Sequence, residues 1–136
     1  IGNLKKVPMK RHILIIDDDP ISIVILKKNL ELVEVTQKIT TFNNGKDALN
    51  YLKKEHQKDE KYTIFLDINM PKMNGWEFLK KTETFLMPKN NTIYLLTSSI
   101  NKLDKEKATQ FPIIKQYLSK PISKEILKEI KIENEL

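Results

Sequence analysis

Asp17-Asp18-Asp19 directly follows an apolar run over residues 13–16, and Asp67 directly follows another over 62–66. Two later runs, 92–96 and 113–118, lead into Thr97 and Lys120. Gathered carboxylates repel one another unless a cation sits among them. Oxygen donors with no His or Cys beside them suit Mg²⁺, which takes a few carboxylates and fills its shell with water and phosphate oxygens. A hydroxyl and an ammonium next to such a cation are what the equatorial oxygens of a phosphoryl group in transfer need. Asp67 can act as nucleophile because a carboxylate already carries the attacking charge.

These residues meet only if the chain brings four strand ends together. The four runs are nearly continuously apolar and rich in Ile, Leu and Tyr, as strands buried on both faces should be. A weaker run over 35–42 alternates apolar and polar residues and predicts an edge strand. Helical stretches separate the runs. The first, 20–34, opens with Asp19-Pro20, an N-cap and first-turn pair. Ala48, Leu49 and Leu52 stripe the second, and Trp76, Leu79 and Phe85-Leu86 support the third after Asn74-Gly75. The fourth, about 102–110, is polar and closed by Pro112; Ser123 caps the fifth, striped by Ile126, Leu127 and Ile130. Five βα units in one domain predict an α/β fold, a doubly wound parallel sheet with helices on both faces. In the order 2-1-3-4-5 the ligand crevice lies where strand order reverses, between the first and third strands. Four of the 18 acidic residues, Asp17, Asp18, Asp19 and Asp67, would then stand together.

Composition removes other chemistries. The chain has 136 residues, 40% of them hydrophobic, so a single packed domain is expected. Without cysteine there are no disulfides, thiolate metal sites or thiol nucleophiles, which fits a reducing cytoplasm. No apolar run approaches the ~18 residues of a membrane span, and no signal peptide is visible. The net charge of +6 comes from scattered lysines with no interleaved aromatics, so a solvated surface is expected and direct nucleic-acid binding is not. His12 and His56 lack ligand spacing and read as structural or solvated. With three glycines, neither a GxGxxG nor a Walker A loop can be written.

The motifs together resemble the response regulator receiver family of two-component signalling. They are the aliphatic run into Asp17-Asp18, Asp67-Ile68-Asn69-Met70-Pro71 with Met73-Asn74-Gly75, Leu95-Leu96-Thr97-Ser98, and Tyr117-Leu118-Ser119-Lys120-Pro121. The resemblance covers about residues 10–132, leaving 1–9 as an N-terminal arm or cloning remnant and 133–136 as a tail. It implies a flavodoxin-like receiver fold and a cytoplasmic signalling domain, not a turnover enzyme, that promotes its own phosphorylation and dephosphorylation. Asp67 would be the phosphoacceptor. Asp18 would bind Mg²⁺ directly, Asp17 mostly through water, and Asn69 through its backbone carbonyl. Thr97 and Lys120 would contact the phosphoryl oxygens, Tyr117 would turn inward as the aromatic switch, and Lys120-Pro121 would be a cis peptide. The donor implied is a sensor histidine kinase or histidine phosphotransfer protein. Asn69 and Ser99 occupy the positions that tune phosphoryl lifetime in this family, and small Ser98 leaves the pocket open.

Gln110-Phe111-Pro112 stands where many receivers have Gly-Ala, leaving open the shape of the face made by the fourth helix and fifth strand. That face, with the fifth helix, allows a homodimer or a contact with a downstream target that the sequence does not name. Asp19 reads as an N-cap rather than a metal ligand. Taken singly, Thr97 could be an ordinary strand end, Tyr117 a core aromatic and Lys120 a surface lysine; an Asp, a Thr and a Lys at three strand ends argue jointly against that. A phosphatase of the haloacid dehalogenase type would want an acid two residues after the nucleophile, where Asn69 stands. A stand-alone receiver is expected, with a receiver cut from a longer regulator or hybrid kinase as the alternative.

Overall fold

The computed structural model describes residues 9–136, so the expected arm lies, apart from Met9, outside the described residues. Five strands alternate with five helices: β1 (Arg11–Ile16), α1 (Pro20–Leu32), β2 (Ile39–Phe42), α2 (Gly45–Glu55), β3 (Lys61–Asp67), α3 (Gly75–Thr82), β4 (Asn91–Thr97), α4 (Lys102–Ala108), β5 (Ile114–Ser119) and α5 (Lys124–Glu133). All neighbouring strands are parallel, in the order β2-β1-β3-β4-β5. This is the doubly wound sheet that the alternation predicts.

The apolar runs are continuous because both sheet faces are covered. Leu14, Ile16, Ile64, Leu66, Ile93 and Leu95 point to one side, against α2, α3 and Phe111. Their neighbours Ile13, Ile15, Phe65, Tyr94 and Leu96 point to the other, against Leu26 and Leu30 of α1 and Leu127 and Ile130 of α5. Successive strand residues face opposite ways, so each layer receives every second side chain. Fully burying one such aliphatic or aromatic side chain contributes about 1.5–3 kcal/mol.

β2 is shorter than its alternation suggests. Val35 closes α1, its amide donating to the Leu30 carbonyl after Glu34 takes a positive φ of 64°, and it is buried against the α1 side of the core. The run over 35–42 therefore divides between a helix end and a four-residue strand. α3 likewise stops at Thr82, whose hydroxyl donates back to the Phe78 and Leu79 carbonyls, although Leu86 beyond it is still buried. At the far end of α5, Asn134 is buried and donates to the Tyr94 hydroxyl at 2.7 Å, while Leu136 packs on the α1–α5 layer.

Candidate functional site

The parallel ladder carries the strand ends to one level. Beyond each strand one more backbone bond forms: the Asp17 amide to Phe42 O (3.0 Å), Ile68 to Leu96 O (3.0 Å) and Lys120 to Thr97 O (2.7 Å). Asp17, Asp67, Thr97 and Lys120 thus line the carboxyl edge around the point where strand order reverses. Oxygens of Asp17, Asp18 and Asp67 all lie within 4.8 Å of one another. Asp17 and Asp67 are 1% and 3% exposed, and Asp18 is open to solvent.

The other acid of the run has a different task. Asp19 caps α1, accepting from the Ile21 amide (2.9 Å) and the Ser22 hydroxyl (3.2 Å), as its place before Pro20 predicts. These bonds, the Ile21 amide foremost, hold its carboxyl below the usual carboxylate range. Three of the four aspartates are therefore gathered, with the fourth holding the helix that follows them.

Lys120 bridges the buried pair. Its Nζ donates to Asp17 Oδ2 at 2.9 Å and lies 3.4 Å from Asp67 Oδ2. Burial lowers the affinity of its amine for a proton, but the two carboxylates outweigh that and raise its pKa. One ammonium does not balance three carboxylates. Burial first, and then the charge of Asp17, push the Asp67 carboxyl up to about 7, against the pull of Lys120 and the Asn69 amide. An all-oxygen donor set with negative charge left over, partly buried and partly wet, fits a hard divalent cation. The Lys120-Pro121 peptide that follows is cis.

Gly75 sets the loop beneath Asp67. Its amide donates to Ile68 O at 2.8 Å, and a Cβ there would stand 2.9 Å from Ile68 Cα and 3.0 Å from Asp67 O. The requirement is for close approach of two backbones, which no side chain can relieve. Gly75→Ala should therefore destabilise the fold by about 2 kcal/mol, within the range for overpacking a tight site. A lower urea midpoint at unchanged slope checks this. The Asn74–Glu77 capping box fixes the start of α3 against the same loop.

Thr97 is buried, and its hydroxyl is engaged within its own loop: it donates to Ser99 O (3.0 Å) and accepts from the Ser99 amide (3.1 Å). Tyr117 is partly buried against the α2–α3 layer, with its hydroxyl 3.5 Å from Asp104 Oδ2. Burial raises the phenol's pKa. Asn69 is exposed beside Asp67 and donates its amide to Asp67 Oδ1. Neither histidine is near: His12 pairs with Glu60 at 2.7 Å and stacks on Tyr62, and His56 meets the same ring at the opposite end of the sheet.

One feature has a weaker sequence signal. A cleft of about 310 Å³ opens beside the acidic cluster, lined by Asp17, Asp19, Ser22, Ile25, Lys120 and Pro121 among others. Ile21 in its wall is 68% exposed, and Val24, also on α1, is 63% exposed. The signal is that the run Pro20–Leu32 is apolar almost all round, more than one buried face requires.

The family model of the response regulator receiver domain matches residues 13–131, and the chain belongs to that family. Its members act in two-component signalling, with phosphoryl acceptance as their general role. The sensor histidine kinase CheAY of Helicobacter pylori is 29% identical over 96% of this chain, and the transcriptional regulatory protein FlgR of the same organism 34% over 86%. The chain spans only 16% and 28% of those proteins' lengths. A two-component response regulator from Cytophaga hutchinsonii superposes with a TM-score of 0.82 at 26% identity, covering 93% of this chain and 98% of that one. Among the described residues, no helix is long and apolar enough to cross a membrane.

Proposed function

We propose that this receiver, over residues 10–132, accepts one phosphoryl group on Asp67 from a phosphohistidine of a sensor histidine kinase or phosphotransfer protein, and that it works as a switch rather than a turnover enzyme. The observation that carries this reading is the buried Asp67 carboxylate, with Lys120 at 3.4 Å and two further carboxylates within 4.8 Å. Mg²⁺ would be held by Asp17, Asp18, Asp67 and the Asn69 carbonyl, and when bound it supplies positive charge against the phosphoryl oxygens.

Asp67 attacks phosphorus, the nitrogen–phosphorus bond breaks, and the donor imidazole leaves with that electron pair. A mixed anhydride of aspartate and phosphate remains. Lys120 moves from Asp17 toward a new equatorial oxygen, and Thr97 must exchange its Ser99 contact for another. Asn69, standing where a second acid would activate water, argues against rapid enzymatic turnover of the anhydride, and neither extreme persistence nor very rapid hydrolysis is expected. The exposed Ile21 and Ile25 of the cleft, with exposed Val24 between them in the α1 sequence, supply an apolar surface on which a donor helix can settle within reach of Asp67.

Incubation with Mg²⁺ and acetyl phosphate, followed by intact mass, tests the reading: a gain of one phosphoryl group is expected, and none without Mg²⁺. Modification at another residue would overturn the assignment. A second expectation concerns Lys120→Ala. Removing the ammonium that competes for Asp17 should leave Mg²⁺ binding intact or up to about tenfold tighter by calorimetry. The same variant should lose the conformational change that follows phosphorylation, read from hydrogen exchange of α4.

A further inference from the structure

α4 turns little of itself toward the protein. Of its seven residues only Asp104 and Ala108, one turn apart, are not exposed, while Leu103 is left 78% in solvent. An acid thus holds the inward position that an apolar side chain would ordinarily take. Asp104 Oδ2 accepts from the Asn101 amide group at 2.8 Å and faces the Tyr117 hydroxyl at 3.5 Å. Asn101 is the N-cap of α4, its own oxygen accepting from the Asp104 amide at 2.8 Å. One carboxylate oxygen therefore joins the helix cap to β5.

Only Ser98, Ser99 and Ile100 separate that cap from Thr97. Any displacement of Thr97 toward Asp67 pulls on the segment that ends at Asn101. We propose that Asp104 is a positioning residue of this switch, tying α4 to the Tyr117 hydroxyl so that movement of the Thr97 loop is transmitted as release of α4. The signalling half of this inference rests on the function proposed above; the tether itself does not. The helix has few other anchors: Lys107 lies 4.9 Å over the Trp76 ring, and Phe111 just beyond the helix stacks on the same ring.

Hydrogen exchange across residues 102–108 of the full chain tests both halves. Without phosphorylation, Asp104→Ala and Tyr117→Phe should each speed exchange about three- to tenfold, the size one hydrogen bond supplies. Because Tyr117→Phe removes only a contact that Asp104→Ala also removes, along with the Asn101 cap bond, the double variant should exchange no faster than Asp104→Ala alone. Asp104→Asn, which keeps an acceptor oxygen, should restore most of the protection. Effects that simply add, or an Asp104→Ala variant that exchanges like the parent, would overturn the tether. With Mg²⁺ and acetyl phosphate, α4 of the parent should loosen while Asp104→Ala, phosphorylated to the same extent by mass, changes little. If the parent gains no phosphoryl group, the function proposal fails and the unphosphorylated cycle still decides the tether.

Discussion

Asp67→Asn is expected to abolish phosphoryl uptake from acetyl phosphate, with the Mg²⁺-dependent mass gain of the parent falling below detection. The amide has no charge to attack with, so a loss of at least about a thousandfold is expected, as for removal of other covalent nucleophiles. Asn is close in size to Asp and can still accept from the Asn69 amide that now donates to Asp67 Oδ1 at 3.1 Å. The loop over Gly75 should therefore keep its shape. Uptake that persisted at the parental level in this variant would place the phosphoacceptor elsewhere.

The same substitution should stabilise the metal-free protein at alkaline pH. Asp67 shifts from an ordinary 3.8 to about 7 on folding, chiefly through burial and the charge of Asp17. An acid with a raised folded-state pKa holds its proton more tightly when folded. That stability is full below about 4 and is lost as pH rises through the window from about 4 to about 7. A shift of roughly three units sets a ceiling of about 4 kcal/mol. Rearrangement of Lys120 between Asp17 and Asp67 reduces this, and about 2 kcal/mol is expected. Urea titrations in chelator at pH 5 and pH 8 should show the parent losing that amount relative to Asp67→Asn. Mg²⁺ at pH 8 should return it, because a cation bound only by the folded cluster adds stability by mass action. Parallel pH profiles for the two proteins would remove the electrostatic account of the cluster.

Most of the architecture was legible because parallel strands buried on both faces leave continuous apolar runs, and each run here is followed by a residue at one sheet edge. The topology rule then placed Asp17, Asp18 and Asp67 together, as the structure does. Element ends were less legible. Val35 looks like a strand residue, but the Glu34 turn spends it on closing α1. Asp19 looks like a member of the cluster by adjacency, and only its Pro20 neighbour marked it as a cap. The Asp104–Tyr117 contact had no readable signal, since it depends on which side of a weakly amphipathic helix turns inward. In the sequence Asp104 is one more residue of a polar fourth helix, and Asn101 stands just before it.

The hydroxyl of Thr97, engaged at both its donor and acceptor functions by Ser99, also bears on how quiet the resting protein is. A switch leaks when its activated arrangement is populated without the signal. Releasing a buried hydroxyl from one such bond costs about 0.5–1.5 kcal/mol, which thins the unprompted population by roughly two- to twelvefold. Under the proposed function the Ser99 backbone would act as a noise filter, and because these bonds use main chain rather than side chain, substitution at Ser99 should change phosphoryl lifetime without giving up that silence.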